Sequence, residues 1–239
     1  MFILAIEATN PNVPTPGVLL ARARGLPDPH PLTLATRGLD APSRHDDVLL
    51  PRIAELFDEA GVGPGELDEV LVSIGPGGFT ATRLACVSAA MLAEVSGATL
   101  RAIPTARIAV ETTYQSCNIG GAVVIAMASK QDTAYVARFD PARGTFTHRG
   151  ESIGPAAFET LLLPGDRLVF EDHLPETMLE IASKRHVECI PMRLTADGLL
   201  ACRSAAETVP IEALRPIYPR EPDAVTQWRR RYGRAPGDA

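Results

Sequence analysis

The sequence predicts an α/β protein of two similar lobes, each in the order βββαβαβα. Three observations carry that expectation. Short β-branched or alternating apolar runs are interleaved with stretches of helical spacing, the pattern begins again after a break at Asn118–Gly121, and 239 residues suit one large domain or two compact ones.

In the first half, strands are expected at Phe2–Ile6, Val18–Ala23, Leu32–Thr36 and Val70–Ile74. A helix over Asp46–Ala60 separates the last two. Asp46 and Asp47 complement its amino-terminal dipole, Leu49, Leu50, Ile53, Leu56, Phe57 and Ala60 follow helical spacing, and Gly61 ends it. A helix at Phe79–Ser96, a strand at Thr99–Ile103 and a helix at Thr105–Gln115 complete this half. The second half gives strands at Ala122–Ala128, Thr133–Phe139 and Thr145–Arg149, then a helix at Pro155–Leu162. Arg167–Phe170 (strand), Pro175–Ser183 (helix), Val187–Ile190 (strand) and Ala196–Glu207 (helix) follow. Pro210–Ala239 holds five prolines and reads as an extended tail. The expected organisation is therefore a first lobe over 1–118, a second over 119–209 and a tail over 210–239.

With 23 basic and 29 acidic residues the formal charge is −6, which excludes a generally basic nucleic-acid binder. The tail reverses that balance: Arg215–Ala239 has six arginines against three acids, with Trp228 and Tyr232 among them. Such a mixture suits bases and phosphates; the plainer reading is a solvated tail that packs one aromatic on its own domain. No window reaches about 18 consecutive apolar residues, and Glu7 interrupts the amino end too early for a signal peptide. The expectation is a cytoplasmic protein without membrane contact. Cys86, Cys117, Cys189 and Cys202 form no CxxC, and His30, His45, His148, His173 and His186 form no HExxH pair, so no metal site is expected. No nucleophile elbow is present either, which disfavours a protease, and no catalytic residue is assigned.

Three segments could carry chemistry. Gly75-Pro76-Gly77-Gly78, before Phe79, joins a buried strand to a helix, where free amides attract anions; it is either a phosphate-binding loop or a tight structural turn. It lacks the Lys-Ser/Thr ending of a P-loop. Glu7 and Thr9 follow the first strand, where a metal–nucleotide site could sit, although a lone acid there is more often solvated or capping. The stretch Pro11–Pro16 makes an irregular crossing to the second strand. In Phe79–Ser96, Leu84, Val87, Ser88, Met91 and Val95 share one sector, and Ala81, Ala85, Ala89 and Ala93 form an adjoining stripe. One sector serves the lobe's own core and the alanine stripe would admit another helix, or else both pack within the chain.

Taken together, these residues resemble the TsaB (YeaZ) family. Gly75-Pro76-Gly77-Gly78-Phe79-Thr80-Ala81-Thr82-Arg83-Leu84 is similar to that family's GPGSFTGLRIG segment. Leu4–Asn10 is similar to LAIDTST, His45–Pro51 to HSERLLP, and Pro216–Asp223 lies where the family has a matching segment near its end. The resemblance implies the actin-like, sugar-kinase-like (ASKHA) fold and a non-catalytic subunit that pairs with TsaD and works with the ATPase TsaE. Together they modify the adenosine beside the tRNA anticodon to N6-threonylcarbamoyladenosine. It implies no intrinsic cofactor, ATP and Mg being used by the complex, tRNA contact through the complex, and a homodimer in isolation. The pairing surface it implies lies on the first two helices, at Leu49, Ile53, Thr80, Arg83, Leu84, Ala85, Val87, Ser88, Ala89 and Leu92. Glu7, Thr9, Gly75, Gly77 and Gly78 are the nucleotide-binding candidates.

The sequence departs from the family at Glu7 (usually Asp), Asn10 (usually a hydroxyl residue), Ala81 (usually Gly) and Met127-Ala128-Ser129 (often Asp-Ala-Arg). The missing acid at Met127 and the altered Glu7 segment weaken the case for Mg-ATP binding by the chain alone in the way of sugar kinases. An independent ATP-dependent kinase of the same fold is the alternative reading, with Glu7 or Thr9 near metal and Gly75–Gly78 near phosphate.

Overall fold

The computed structural model describes residues 1–10, 16–25, 28, 30–39, 45–117, 120–130, 132–219 and 223–233. The expected stretch 11–15 and the Asp46 and Asp47 side chains lie outside the described residues. The first eight elements are β1 (Phe2–Glu7), β2 (Gly17–Arg22), β3 (Leu32–Gly38), α1 (His45–Ala60), β4 (Leu67–Ser73), α2 (Phe79–Ser96), β5 (Thr99–Ile103) and α3 (Thr105–Ser116). The next eight repeat the order: β6 (Val123–Ala128), β7 (Ala134–Asp140), β8 (Thr145–Ile153), α4 (Pro155–Leu161), β9 (Arg167–Phe170), α5 (Glu176–Lys184), β10 (Glu188–Pro191) and α6 (Ala196–Ala201). Then come β11 (Glu207–Thr208) and α7 (Asp223–Tyr232).

The two sheets share a strand order: β11-β5-β4-β1-β2-β3 in the first and β10-β9-β6-β7-β8 in the second. In each, the first strand pairs antiparallel with the second and parallel with the fourth. That first strand lies inside its sheet, and helices cover both faces. Ile3 to Ile6 and Val123 to Ala126 are accordingly uninterrupted apolar runs with no exposed surface. One parity of each strand faces a central layer, in which Ile3, Ala5, Val123 and Ile125 pack with α3 and α6. The other parity of the first sheet packs under α1 and α2, and that of the second under α4 and α5. The central crossing is tight: a Cβ on Gly198 would stand 2.0 Å from Thr112 Oγ1, so α6 can approach α3 only with glycine at this position.

Two expectations change near the end. The helix over Ala196–Glu207 stops at Ala201, gives way to a 3-10 turn at Cys202–Ala205, and its last residue lies in β11. The turn is fixed by Arg203, whose Nε and Nη2 hold the buried Glu69 carboxylate of β4 at 2.8–3.1 Å. Arg101 Nε of β5 stands 3.0 Å from the same carboxylate, so one buried acid joins β4, β5 and the chain leaving the second lobe. The presumed tail is not simply extended. β11 adds to the first sheet, Leu214 is buried in that lobe's core, and the Ile217 amide donates to the Ile74 carbonyl at 2.7 Å. The Ser152 hydroxyl of β8 then donates to the Pro219 carbonyl at 3.2 Å, so residues 214–219 are fastened to both lobes. Beyond Pro222, a stretch without glycine or proline forms α7.

Candidate protein interface

α2 separates small from large side chains. Ala85, Ala89 and Ala93 have no exposed surface and share a core with Val70 and Val72 of β4 and Ile53 and Leu56 of α1. Side chains no longer than a methyl let the helix lie close to its own sheet. The large side chains point the other way. Phe79, Val87, Met91 and Val95, at four-residue steps with Arg83, are 51%, 55%, 62% and 73% exposed, and Leu50 of α1 is 54% exposed. An apolar stripe along an 18-residue helix, about 27 Å long, is more than scattered surface hydrophobes.

This reverses the expected roles of the two sectors. Among the expected pairing residues, Leu49, Ile53, Ala85, Ser88 and Ala89 are buried within the lobe, which removes them from any docking surface. Thr80, Arg83 and Val87 are exposed, and Leu84 and Leu92 are half-buried. Phe79, Met91, Val95 and Tyr218 belong to the surface but were not among the pairing residues. The available signal was Arg83 and Glu94, charges in the same helical sector as Val87 and Met91.

Beside the stripe, Arg83, Cys86, Val87 and Ala90 form a groove with Ile211, Leu214, Pro216 and Tyr218. Tyr218 stacks on Phe79 at 4.9 Å between centroids, and the Arg83 guanidinium lies 5.3 Å from the Phe79 centroid. Burial pushes the pKa of the groove's Cys86 thiol up to about 12, which disfavours the reactive thiolate.

The nucleotide-binding candidates meet at the carboxyl ends of β1 and β4, in a buried polar cluster. Glu7 Oε1 accepts from the Thr9 amide at 3.0 Å and the Thr9 hydroxyl at 2.8 Å. That hydroxyl lies 3.2 Å from Ser73 Oγ and 3.1 Å from Thr105 Oγ1, which are 3.0 Å from each other. A Cβ on Gly77 would stand 2.1 Å from the Thr9 carbonyl oxygen, and the Gly78 amide donates to that oxygen at 2.7 Å. The Gly75 carbonyl accepts from Thr105 N at 2.8 Å. Of the two readings of this segment, the geometry favours the tight turn that locks β1, β4 and α3 together. Sequence reasoning missed Ser73 and Thr105, because single hydroxyl residues far apart in the chain carry no local pattern. A second acid, Glu171, joins the lobes by accepting from Asn10 Nδ2 at 2.5 Å and from the Ala128 amide.

Desolvation raises the Glu7 pKa above 4.5 despite the lowering effect of its Thr9 and Ser73 hydrogen bonds, and Oε2 has no partner among the described residues. A carboxyl raised in the folded state binds its proton more tightly there than when unfolded. Its contribution is present below the unfolded value and is lost as pH rises through the raised folded value. Glu7→Gln removes the buried charge and is expected to raise the melting temperature at pH 8, by roughly 2–4 °C per kcal/mol gained. At pH 4 the gain should shrink, and thermal melts across that range check it.

Two lobes whose five core strands follow the same order, packed through α3 and α6, define an actin-like, sugar-kinase-like α/β protein. Residues 39–192 match the family model described as TsaD: tRNA N6-adenosine threonylcarbamoyltransferase. The match spans well over half of the chain, which therefore belongs to this family. YeaZ from Pseudomonas aeruginosa has the same fold at 21% identity, with a TM-score of 0.68 over 91% of this chain and 99% of that one. So does an uncharacterized protein with similarity to peptidase YEAZ from Pseudomonas aeruginosa, at 21% identity and a TM-score of 0.67 over 92% and 99%. No curated protein matches the chain.

Proposed function

We propose that the chain is a non-catalytic scaffold or activating subunit in the N6-threonylcarbamoyladenosine modification of tRNA. It pairs with a cognate TsaD through the exposed face of α2 and works with TsaE in the cytoplasm. In isolation the same face joins two copies. ATP and Mg are used by the complex, and this chain supplies a docking surface.

The observation that carries this reading is the stripe of Phe79, Val87, Met91 and Val95. Large apolar side chains are left in water while alanines fill the core, the arrangement of a helix whose outer face has a partner. The Glu7–Thr9–Ser73–Thr105 cluster supports it from the other side, because Glu7 Oε1 and the three hydroxyls are engaged with one another.

Reconstitution tests the proposal. The purified chain alone should transfer nothing to tRNA, and adding it to cognate TsaD, TsaE and a source of threonylcarbamoyl-adenylate should restore modification. Full modification without the chain, or transfer by the chain alone, would overturn the reading.

A further inference from the structure

The carboxyl-terminal helix presents a second surface that shares no residue with α2. On α7, Gln227, Trp228, Arg229, Arg231 and Tyr232 are exposed. Trp228 and Tyr232 stand one turn apart with ring centroids 4.4 Å apart, and the Arg231 guanidinium lies 5.8 Å from the Tyr232 centroid. The rings remain 45% and 59% exposed, so their mutual contact leaves aromatic surface uncovered. This ladder also lies in the basic part of an acidic chain: Arg215–Ala239 carries six arginines against three acids, where the whole chain has a charge of −6.

We propose that α7 docks single-stranded RNA, with the Trp228–Tyr232 pair stacking on unpaired bases and Arg229 and Arg231 facing the backbone phosphates. Charge complementarity calls for an anionic partner, and the exposed rings narrow its kind. An acidic peptide uses the guanidinium groups but has no planar faces for the rings. A bilayer needs a broad apolar helix face, whereas Asp223, Gln227 and the arginines leave α7 mainly polar. Duplex RNA keeps its bases stacked on each other, and a single strand offers both faces and phosphates. The inference rests on the tRNA-modification reading only for which RNA is met in the cell.

Trp228 is the chain's single tryptophan, so it reports its own contacts. Titrating the full-length protein with a short, unstructured, fluorescein-labelled RNA should quench Trp228 emission and raise the label's anisotropy together. Inorganic polyphosphate at equal phosphate concentration should leave the emission unchanged. Replacing both aromatics (Trp228→Leu with Tyr232→Leu) should weaken RNA binding about tenfold or more while preserving the salt slope. Arg229→Gln with Arg231→Gln should instead flatten the log–log salt slope by about 1.4. Unquenched emission at saturating RNA, unchanged affinity in the aromatic variant, equal quenching by polyphosphate, or binding to phosphatidylserine vesicles without RNA binding would each overturn the proposal. Retained TsaD pairing in the α7 variants separates failure here from failure of the pairing reading.

Discussion

Met91→Asp is expected to abolish co-purification with cognate TsaD and to turn the isolated protein into a monomer, while leaving its circular dichroism unchanged. Met91 is 62% exposed in the single chain, so a carboxylate there stays in water in the monomer. Exposed substitutions away from special features typically change stability by less than about 0.5 kcal/mol. When a partner covers α2, that charge is buried without a counter-ion. A penalty of about 3 kcal/mol or more then weakens pairing over a hundredfold. Ala89→Arg is the contrasting variant: Ala89 has no exposed surface, so arginine there should unfold the lobe, lowering the melting temperature before pairing is tested. Sedimentation and pull-down read the first effect, and thermal melts the second. Undiminished pairing by the Met91 variant would remove α2 from the interface.

Glu69→Ala is expected to cost about 3–5 kcal/mol of stability, which corresponds to a fall of roughly 10 °C or more in melting temperature. Glu69 is buried between Arg203 and Arg101, and deleting it leaves two guanidinium groups facing each other without their anion. Replacing both members of the closest pair, Glu69→Leu with Arg203→Met, should recover part of that loss by removing one of the two stranded charges, Arg101 remaining. Denaturation of both variants decides between a structural ion pair and an incidental one. An alanine variant as stable as wild type would make it incidental.

The order of elements was legible because its signals are local. Central strands such as Ile3–Ile6 are continuously apolar, Gly61 stops the first long helix where expected, and the second ends at Ser96 as its spacing predicts. The faces of α2 were not legible from hydrophobicity, since alanine fills a close contact as well as a larger residue fills a wide one. Arg83 and Glu94, placed on the helical wheel, would have marked Val87 and Met91 as facing water. The Glu7 cluster was visible only in part: Glu7 and Thr9 are near neighbours, whereas Ser73 and Thr105 reach them through sheet pairing. The return of the chain at β11 was hidden for the same reason. Two residues bonded across more than a hundred positions leave no periodicity.

That return also sets the order in which the molecule can be completed during synthesis. β5 is the outermost strand encoded by the first lobe, and its free edge is covered only when Glu207 and Thr208 pair with Ala102 and Arg101. Leu214 fills the same lobe's core later still. The amino-terminal lobe therefore emerges from the ribosome first and is finished last, with an open strand edge exposed while the whole second lobe is made.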